Sequence, residues 1–340
     1  MRQTTAEAPS NLAFVKYWGK KDPALRIPTN NSISMNLSNA RTITRVEFNP
    51  EMEEDRVVFK GLDQQPARRT IERVSKHLDR VREIAGVTTR AMVSTENTFP
   101  ESVGIASSAS GFAALSMAAS AALGLDLSEK DLSILARLGS GSACRSIPSG
   151  FVEWEAGSDS QSSYARQLAP PEHWEISAVT VIVTRETKKI TSTVGHQLAT
   201  ASPFFKARLE TLDERLNNVR RAILEKDFEH FGREIEQEAI SLHMIAMTSP
   251  VEDPSWNSGA YYWNPETMEL ILAVQEWRAN GLETYFTLDA GPTVHLICRR
   301  SEEKQVIEAV RRIQETKPGR SWDVLVNHPA AGAKVIHPGV

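Results

Sequence analysis

From Gly104 onward the chain turns small: Ala109, Ala113, Ala114, Ala118, Ala119 and Ala122 recur up to Leu123, and Gly124 supplies a natural stop. This predicts a helix over 104–123 that lies close against a sheet or another helix, because little side chain separates the backbones. Its entry is rich in glycine and serine, Pro100-Glu101-Ser102-Val103-Gly104-Ile105-Ala106-Ser107-Ser108-Ala109-Ser110-Gly111. A second such loop follows, Gly139-Ser140-Gly141-Ser142-Ala143-Cys144-Arg145-Ser146. Loops of this kind expose backbone N–H groups, and a helix N-terminus adds positive dipole. Two anion cradles point to a substrate and a cosubstrate that both carry phosphate. The alternative is a pair of close-packed turns. The first loop lacks the Walker A lysine, so it is not a standard P-loop.

The flanking pattern alternates between strand and helix. Residues 41–48, 56–60, 91–95 and 151–154 read as strands, and 66–84 as an amphipathic helix. Ser128 has the position of an N-cap for a short helix ending near Leu138. Residues 157–163 are polar and predict an exposed loop, and Ala169-Pro170-Pro171 is the best linker. The apolar run 176–184 predicts a buried strand. Helices are expected over 203–225, 227–247, 265–279 and 302–314, and strands over 283–288, 294–298 and 322–326. The sum is a mixed α/β chain in two parts, 1–171 and 172–340, whose stretch 321–340 can return to the first part.

The length of 340 residues suits one large or two medium domains. A net charge of −4 argues against a general nucleic-acid or membrane-surface binder. Cys144 and Cys298 are too few for a disulfide framework and fit a reducing cytosol. No apolar run approaches a membrane span, and the first ten residues lack a signal-peptide core. A cytoplasmic protein is expected.

Several residues invite a chemical role. Lys16 follows an apolar stretch, so its ammonium can neutralise an anion in a partly buried pocket, or simply snorkel at a strand end. Arg145 offers a planar fork for carboxylate or phosphate, or is a solvated arginine on a turn. Asp289, where a strand meets Gly291-Pro292, can orient a hydroxyl proton in phosphoryl transfer, or serve the turn. Ser107, Ser108 and Ser110 can donate to phosphate or hold Mg²⁺ against it. Cys144 beside Arg145 is either a thiol of lowered pKa or a small buried residue. The histidines show no metal-ligand spacing, and Tyr261, Tyr262 and Trp263 read as core or interface.

In family order along most of the chain, these segments resemble the mevalonate diphosphate decarboxylase family of the GHMP kinase superfamily. The matching segments are Asn11-Leu12-Ala13-Phe14-Val15-Lys16-Tyr17-Trp18-Gly19-Lys20, Pro28-Thr29-Asn30-Asn31-Ser32-Ile33-Ser34, residues 99–111, Gly139 to Arg145 with Phe151-Val152-Glu153-Trp154, and Thr287-Leu288-Asp289-Ala290-Gly291-Pro292. The resemblance implies an α/β (α+β) two-domain fold, with an N-terminal ribosomal protein S5 domain 2-like domain, a C-terminal ferredoxin-like domain and the active site in the cleft. It implies ATP and Mg²⁺, a mevalonate phosphate as substrate, and commonly a homodimer. ATP would phosphorylate the 3-hydroxyl, and the 3-phosphate would leave as the carboxylate departs as CO₂. Asp289, Lys16 and Arg145 are then catalytic. Tyr17, Lys20, Ser140, Gly141, Ser142, Arg145, His196 and Ala290 are assigned to the substrate. Pro100, Gly104, Ala106, Ser107, Ser108, Ser110 and Ser192 are assigned to ATP, with Ser107 also toward Mg²⁺.

The departures from the family pattern bear on the substrate. Glu101 and Ser102 stand where many diphosphate enzymes read Thr-Ala, His196 stands where methionine is frequent, and Thr193 where some carry an arginine. An acid gained and a cation absent favour the 5-monophosphate, since a second phosphate needs more pairing charge. The diphosphate is the alternative. A 3-kinase without decarboxylation and a non-catalytic sensor on the same fold fit less well, because Lys16, Arg145 and Asp289 are all present.

Overall fold

The computed structural model describes residues 2–60, 67–99, 107–186, 190–251 and 259–337. Two long antiparallel strands, β1 (Arg2–Val15) and β4 (Ser32–Phe48), form the spine of the first sheet. Between them lies a small ribbon of β2 (Lys20–Asp22) and β3 (Ile27–Pro28). β5 (Arg56–Phe59) runs parallel to β6 (Ala91–Asn97), and β6 pairs with the distal half of β4. β7 (Phe151–Trp154) pairs with the proximal half of β4 and carries β8 (Ala165–Ala169) on its other edge.

Three helices cover one face of this sheet: α1 (Arg68–Ala85), α2 (Ser107–Ala122) and α3 (Glu129–Gly139). α2 is the small-residue helix. Ala109, Ala113, Ala114, Ala118 and Ala119 are fully buried, so it lies directly on β1 and β4. Ser128 caps α3 as expected, accepting from the Asp131 N–H.

The second sheet has the antiparallel order β10-β11-β9-β12, from β9 (Ile176–Ile182), β10 (Thr284–Thr287), β11 (Val294–Arg299) and β12 (Asp323–Asn327). Between β9 and β10 come α4 (Ser192–Leu198), α5 (Phe205–Glu225), α6 (Phe228–Thr248) and α7 (Pro265–Ala279). α8 (Glu303–Glu315) precedes β12. This is the ferredoxin-like β-α-β-β-α-β arrangement. β9 is buried on both faces. Ile176, Ala178 and Ile182 join a core with α5, α6, β1 and β4, while Val179 and Val181 pack with α7 and α8. That shared core fixes the two sheets against each other.

Four expectations are corrected. β1 and the first half of β4 were not anticipated as strands. Ala169, expected in the linker, ends β8 instead. Of the stretch expected to return to the first domain, β12 stays in the second sheet, whereas Pro329 bridges Leu37 of β4 and β13 (Lys334–His337) pairs with β1. Ser163 closes the polar loop as a fully buried residue, because its hydroxyl accepts from Trp154 Nε1 and its carbonyl from Arg137. Among the described residues, no helix is long and apolar enough to cross a membrane.

Candidate active site

β1 ends at Val15, and the next residue turns into the cleft between the sheets. Lys16 is 1% exposed, and its Nζ donates to the Ala13 carbonyl and to Asp289 Oδ1 at 2.9 Å. Asp289 comes from the turn between β10 and β11, so this ion pair joins the two halves of the molecule. Burial lowers the Lys16 pKa, with Asp289 and then Glu238 opposing. Burial works to raise the Asp289 carboxyl, but Lys16, His295 and Arg145 outweigh it and hold the pKa below the ordinary carboxylate value.

Arg145 sits in a 3₁₀ segment that follows α3 and is buried. Its guanidinium is held by neutral oxygens: Ser34 Oγ at 3.0 Å, Ser32 Oγ at 2.6 Å and Asn11 Oδ1 at 3.1 Å. Ser32 and Ser34 alternate along β4 and so face the same side, which explains the polar residues in an otherwise buried strand. The charge is fixed in place with no carboxylate against it among the described residues. Such an arrangement waits for an anion. Cys144, next to it, is fully buried and its thiol is pushed up to about 12 by that burial, so the small-buried-residue reading holds.

The cleft has a volume of about 640 Å³. Lys16, Lys20, Arg26, Arg69, Arg73 and Arg145 line it, and Asp289 is the one acidic residue among the described lining residues. Burial and then Arg26 lower the Lys20 pKa. Burial, then Arg26 and Arg69, lower that of Arg73. The mutual repulsion of these cations is relieved by a polyanion.

Tyr17, Lys20, Ser140, Gly141, Ser142, His196 and Ala290 all line the cleft, as do Ser107, Ser108, Ser192 and Thr193. Gly141 is required by contact: a Cβ there would lie 2.7 Å from the Tyr17 ring. The His196 ring sits against Tyr17 and Trp18, with centroids 4.2 and 4.6 Å away. Its Nδ1 accepts the Gly19 N–H, which leaves the proton on Nε2. Burial, and then Lys20, Arg145 and Arg26, push its pKa down to about 3, so it is a neutral donor.

Ser110 lies apart from the other serines of its loop. Its hydroxyl is fully buried against Thr42 Oγ1 and the Ser107 carbonyl, so it faces the sheet and not the cleft. Pro100, Gly104 and Ala106 lie outside the described residues, as does Glu101. Sequence reasoning gave no role to Asn11, Ser32 and Ser34, or to Arg26, Arg69 and Arg73. The two α1 arginines are four residues apart on one helical face, a spacing visible in the sequence.

A polycationic cleft between an S5-like sheet and a ferredoxin-like sheet, with a lysine–aspartate pair across it, defines an enzyme of the GHMP class acting on phosphorylated compounds. Residues 8–165 match the model of the diphosphomevalonate decarboxylase-like N-terminal domain, and 178–332 that of the mevalonate 5-diphosphate decarboxylase C-terminal domain. The chain belongs to the diphosphomevalonate decarboxylase family. It is 32% identical to the diphosphomevalonate decarboxylase of Candida albicans, over 99% of this chain and 95% of that one. It is also 32% identical to the phosphomevalonate decarboxylase of Haloferax volcanii, over 91% and 92%. The mevalonate diphosphate decarboxylase of Staphylococcus aureus superposes with a TM-score of 0.90 at 35% identity, covering 99% of this chain and 98% of that one. A structure described as MDDEF in complex with MVAPP, AMPPCP and magnesium superposes at 0.87 and 32% identity, covering 98% and 99%.

Proposed function

We propose that this protein is an ATP-dependent decarboxylase of mevalonate 5-phosphate, yielding isopentenyl phosphate, ADP, phosphate and CO₂. The observation that carries the reading is the Lys16–Asp289 pair at 2.9 Å beside Arg145, a buried cation held only by neutral partners. Asp289 orients the 3-hydroxyl. Its depressed pKa makes it a weak base, which suffices because phosphoryl transfer passes through a loose transition state that needs alignment more than proton abstraction. The hydroxyl oxygen bonds to the γ-phosphorus as the bond to ADP breaks, and its proton passes late in the step to the Asp289 carboxylate. Lys16 stabilises charge on the moving phosphoryl group. The 3-phosphate then departs from C3, the electrons of the carboxylate's C–C bond form the new double bond, and CO₂ leaves. Arg145 holds the carboxylate until that step.

Ser107 and Ser108 at the start of α2, with Ser192, are assigned to the ATP phosphates. A neighbouring cavity of about 210 Å³ shares Thr70, Arg73, Ser107 and Ser108 with the cleft and is walled by Val57, Phe59, Val74 and Phe112. An apolar slot beside the phosphate end suits the adenine. Among the described residues no cluster of three metal-ligating side chains exists. Mg²⁺ commonly rides on substrate phosphates with few protein ligands, and Ser107 is the donor proposed here.

For the 5-phosphate we assign Tyr17, Lys20, Ser140, Gly141, Ser142 and His196, with Ala290 closing the pocket. Neutral His196 and Thr193 support the monophosphate. The diphosphate is favoured by one observation: Arg26 adds a cation beside Lys20. The test compares CO₂ and ADP release with Mg-ATP on both substrates at matched concentration. Turnover chiefly of the monophosphate is expected. Turnover chiefly of the diphosphate reverses the substrate assignment, and ADP without CO₂ from either rejects decarboxylation.

A further inference from the structure

Behind the cleft wall lies a charged pair that the proposed reaction leaves unused. Glu238 of α6 and Arg208 of α5 have fully buried side chains, joined at 2.6 and 3.0 Å, with Arg215 adding 3.1 Å to the same carboxylate. A buried ion pair is often no more stabilising than apolar residues of equal volume, so stability alone is a weak reason for it. Besides a 3.4 Å bond from Arg208 Nη1 to Ser241 Oγ, both members of the pair reach the main chain of one residue. Glu238 Oε1 accepts the Lys16 N–H at 2.9 Å, and Arg208 Nη2 donates to the Lys16 carbonyl at 3.4 Å. Asn30 Nδ2 donates to the same carbonyl at 3.0 Å. Lys16 is the first residue past β1, where the sheet ladder no longer serves its main chain, and buried peptide groups need partners.

We propose that Glu238, oriented by Arg208, is a positioning residue for Lys16: it ties the main chain beneath the lysine to the helices of the second domain, setting the ammonium against Asp289. The inference rests on the role proposed for Lys16. There is an electrostatic counterpart. The Lys16 ammonium is faced by Asp289 and Glu238, by the cation of Arg145, and by His243 and His295, which burial keeps neutral. Removing the Glu238 charge therefore lowers the Lys16 pKa further.

Glu238→Gln keeps the shape and the acceptor for the Lys16 N–H but removes the charge. The expected result is a kcat about tenfold lower, KM values for both substrates changed by less than about twofold, and an alkaline limb of the kcat profile moved to lower pH. Reductive methylation of Lys16, followed by peptide mass spectrometry across pH, should show the same downward move without turnover. The double variant Arg208→Met, Glu238→Leu replaces the pair with apolar volume. A folded double variant with reduced kcat and a displaced limb supports the proposal, and one with wild-type kcat and limb overturns it. A Glu238→Gln protein that melts earlier while its Lys16 titration stays put also overturns it. If the wild type releases no CO₂ but the labelling shift is present, the positioning role stands and the decarboxylase reading falls.

Discussion

At the scale of single residues, the site depends on charges held before any ligand arrives. Asp289 is the clearest case, since its carboxylate is ionised and already paired to Lys16. Asp289→Asn keeps the volume and should lower kcat by about 10²–10³-fold with little change in KM, by analogy with loss of one preorganised polar group. Steady-state ADP release measures it, and a KM change without a kcat change would place Asp289 outside the chemistry. Arg145 makes a different demand. Lysine cannot reproduce its three-way hold by Ser32, Ser34 and Asn11. Arg145→Lys should cost about 10–10²-fold in kcat/KM, the range for losing a charged hydrogen bond. Asp289 and Lys16 also set the pH range. The lowered Asp289 pKa places protonation of that carboxylate below the ordinary value of 3.8, and the lowered Lys16 pKa places loss of its proton below 10.5.

At the scale of elements, α4 shows how a short helix is seated by one glycine. A Cβ on Gly195 would lie 2.6 Å from the Trp18 ring and 2.9 Å from Tyr262 Oη, and both residues are packed in the core around Ala199, Phe205 and Leu242. Gly195→Ala should lift α4, which carries Ser192, Thr193 and His196 into the cleft. KM for ATP and for the phosphorylated substrate should rise together, while kcat changes less. Initial-rate kinetics decide this, and unchanged KM values would show that Trp18 yields without moving α4. The helices and the second sheet were legible because their apolar residues recur strongly: β9 is buried throughout and apolar at five of its seven positions, and α7 was bounded correctly at Pro265 and Ala279. β1 was not, because its buried face is partly Ala6 and Ala8, whose small side chains give little contrast with Thr5 and Glu7. The first half of β4 hid for a related reason. Ser32, Ser34 and Asn36 are fully buried polar residues, two of them serving Arg145 and the third bonded to the Pro148 carbonyl. Local motifs pointed to Lys16, Arg145 and Asp289, which converge on one cleft. Glu238 and Arg208 carry no local signal, since their meaning comes from a contact more than 190 positions distant in sequence.

At the scale of the whole molecule, acid stability follows from histidines that the fold holds neutral. His77, His243 and His295 are buried, and burial pushes them down to about 3, 3 and 4. His77 shows why. Ser116 Oγ donates to the Phe112 carbonyl and so accepts from His77 Nε2, a bond that the neutral ring already makes. The other two flank the Asp289 turn, His243 Nε2 donating to the Asp289 carbonyl at 3.1 Å and His295 Nδ1 lying 2.9 Å from Thr180 Oγ1. When the chain unfolds, each ring regains a value near 6.5. The unfolded state then binds more protons, so this contribution is complete above pH 6.5 and is lost as pH falls toward 4. Each histidine removes stability as pH falls through that window, and the three act in the same direction. The melting temperature should therefore fall between pH 6.5 and 5, well before most carboxylates protonate. His77→Leu offers the discriminating measurement, because His77 lies outside the cleft and its loss leaves Ser116 bonded to Phe112. Its melting temperature should depend less on pH over that interval than the wild type's, with activity at pH 7.5 retained. Parallel melting curves for the two proteins would show that His77 is not among the groups that make the fold acid-sensitive.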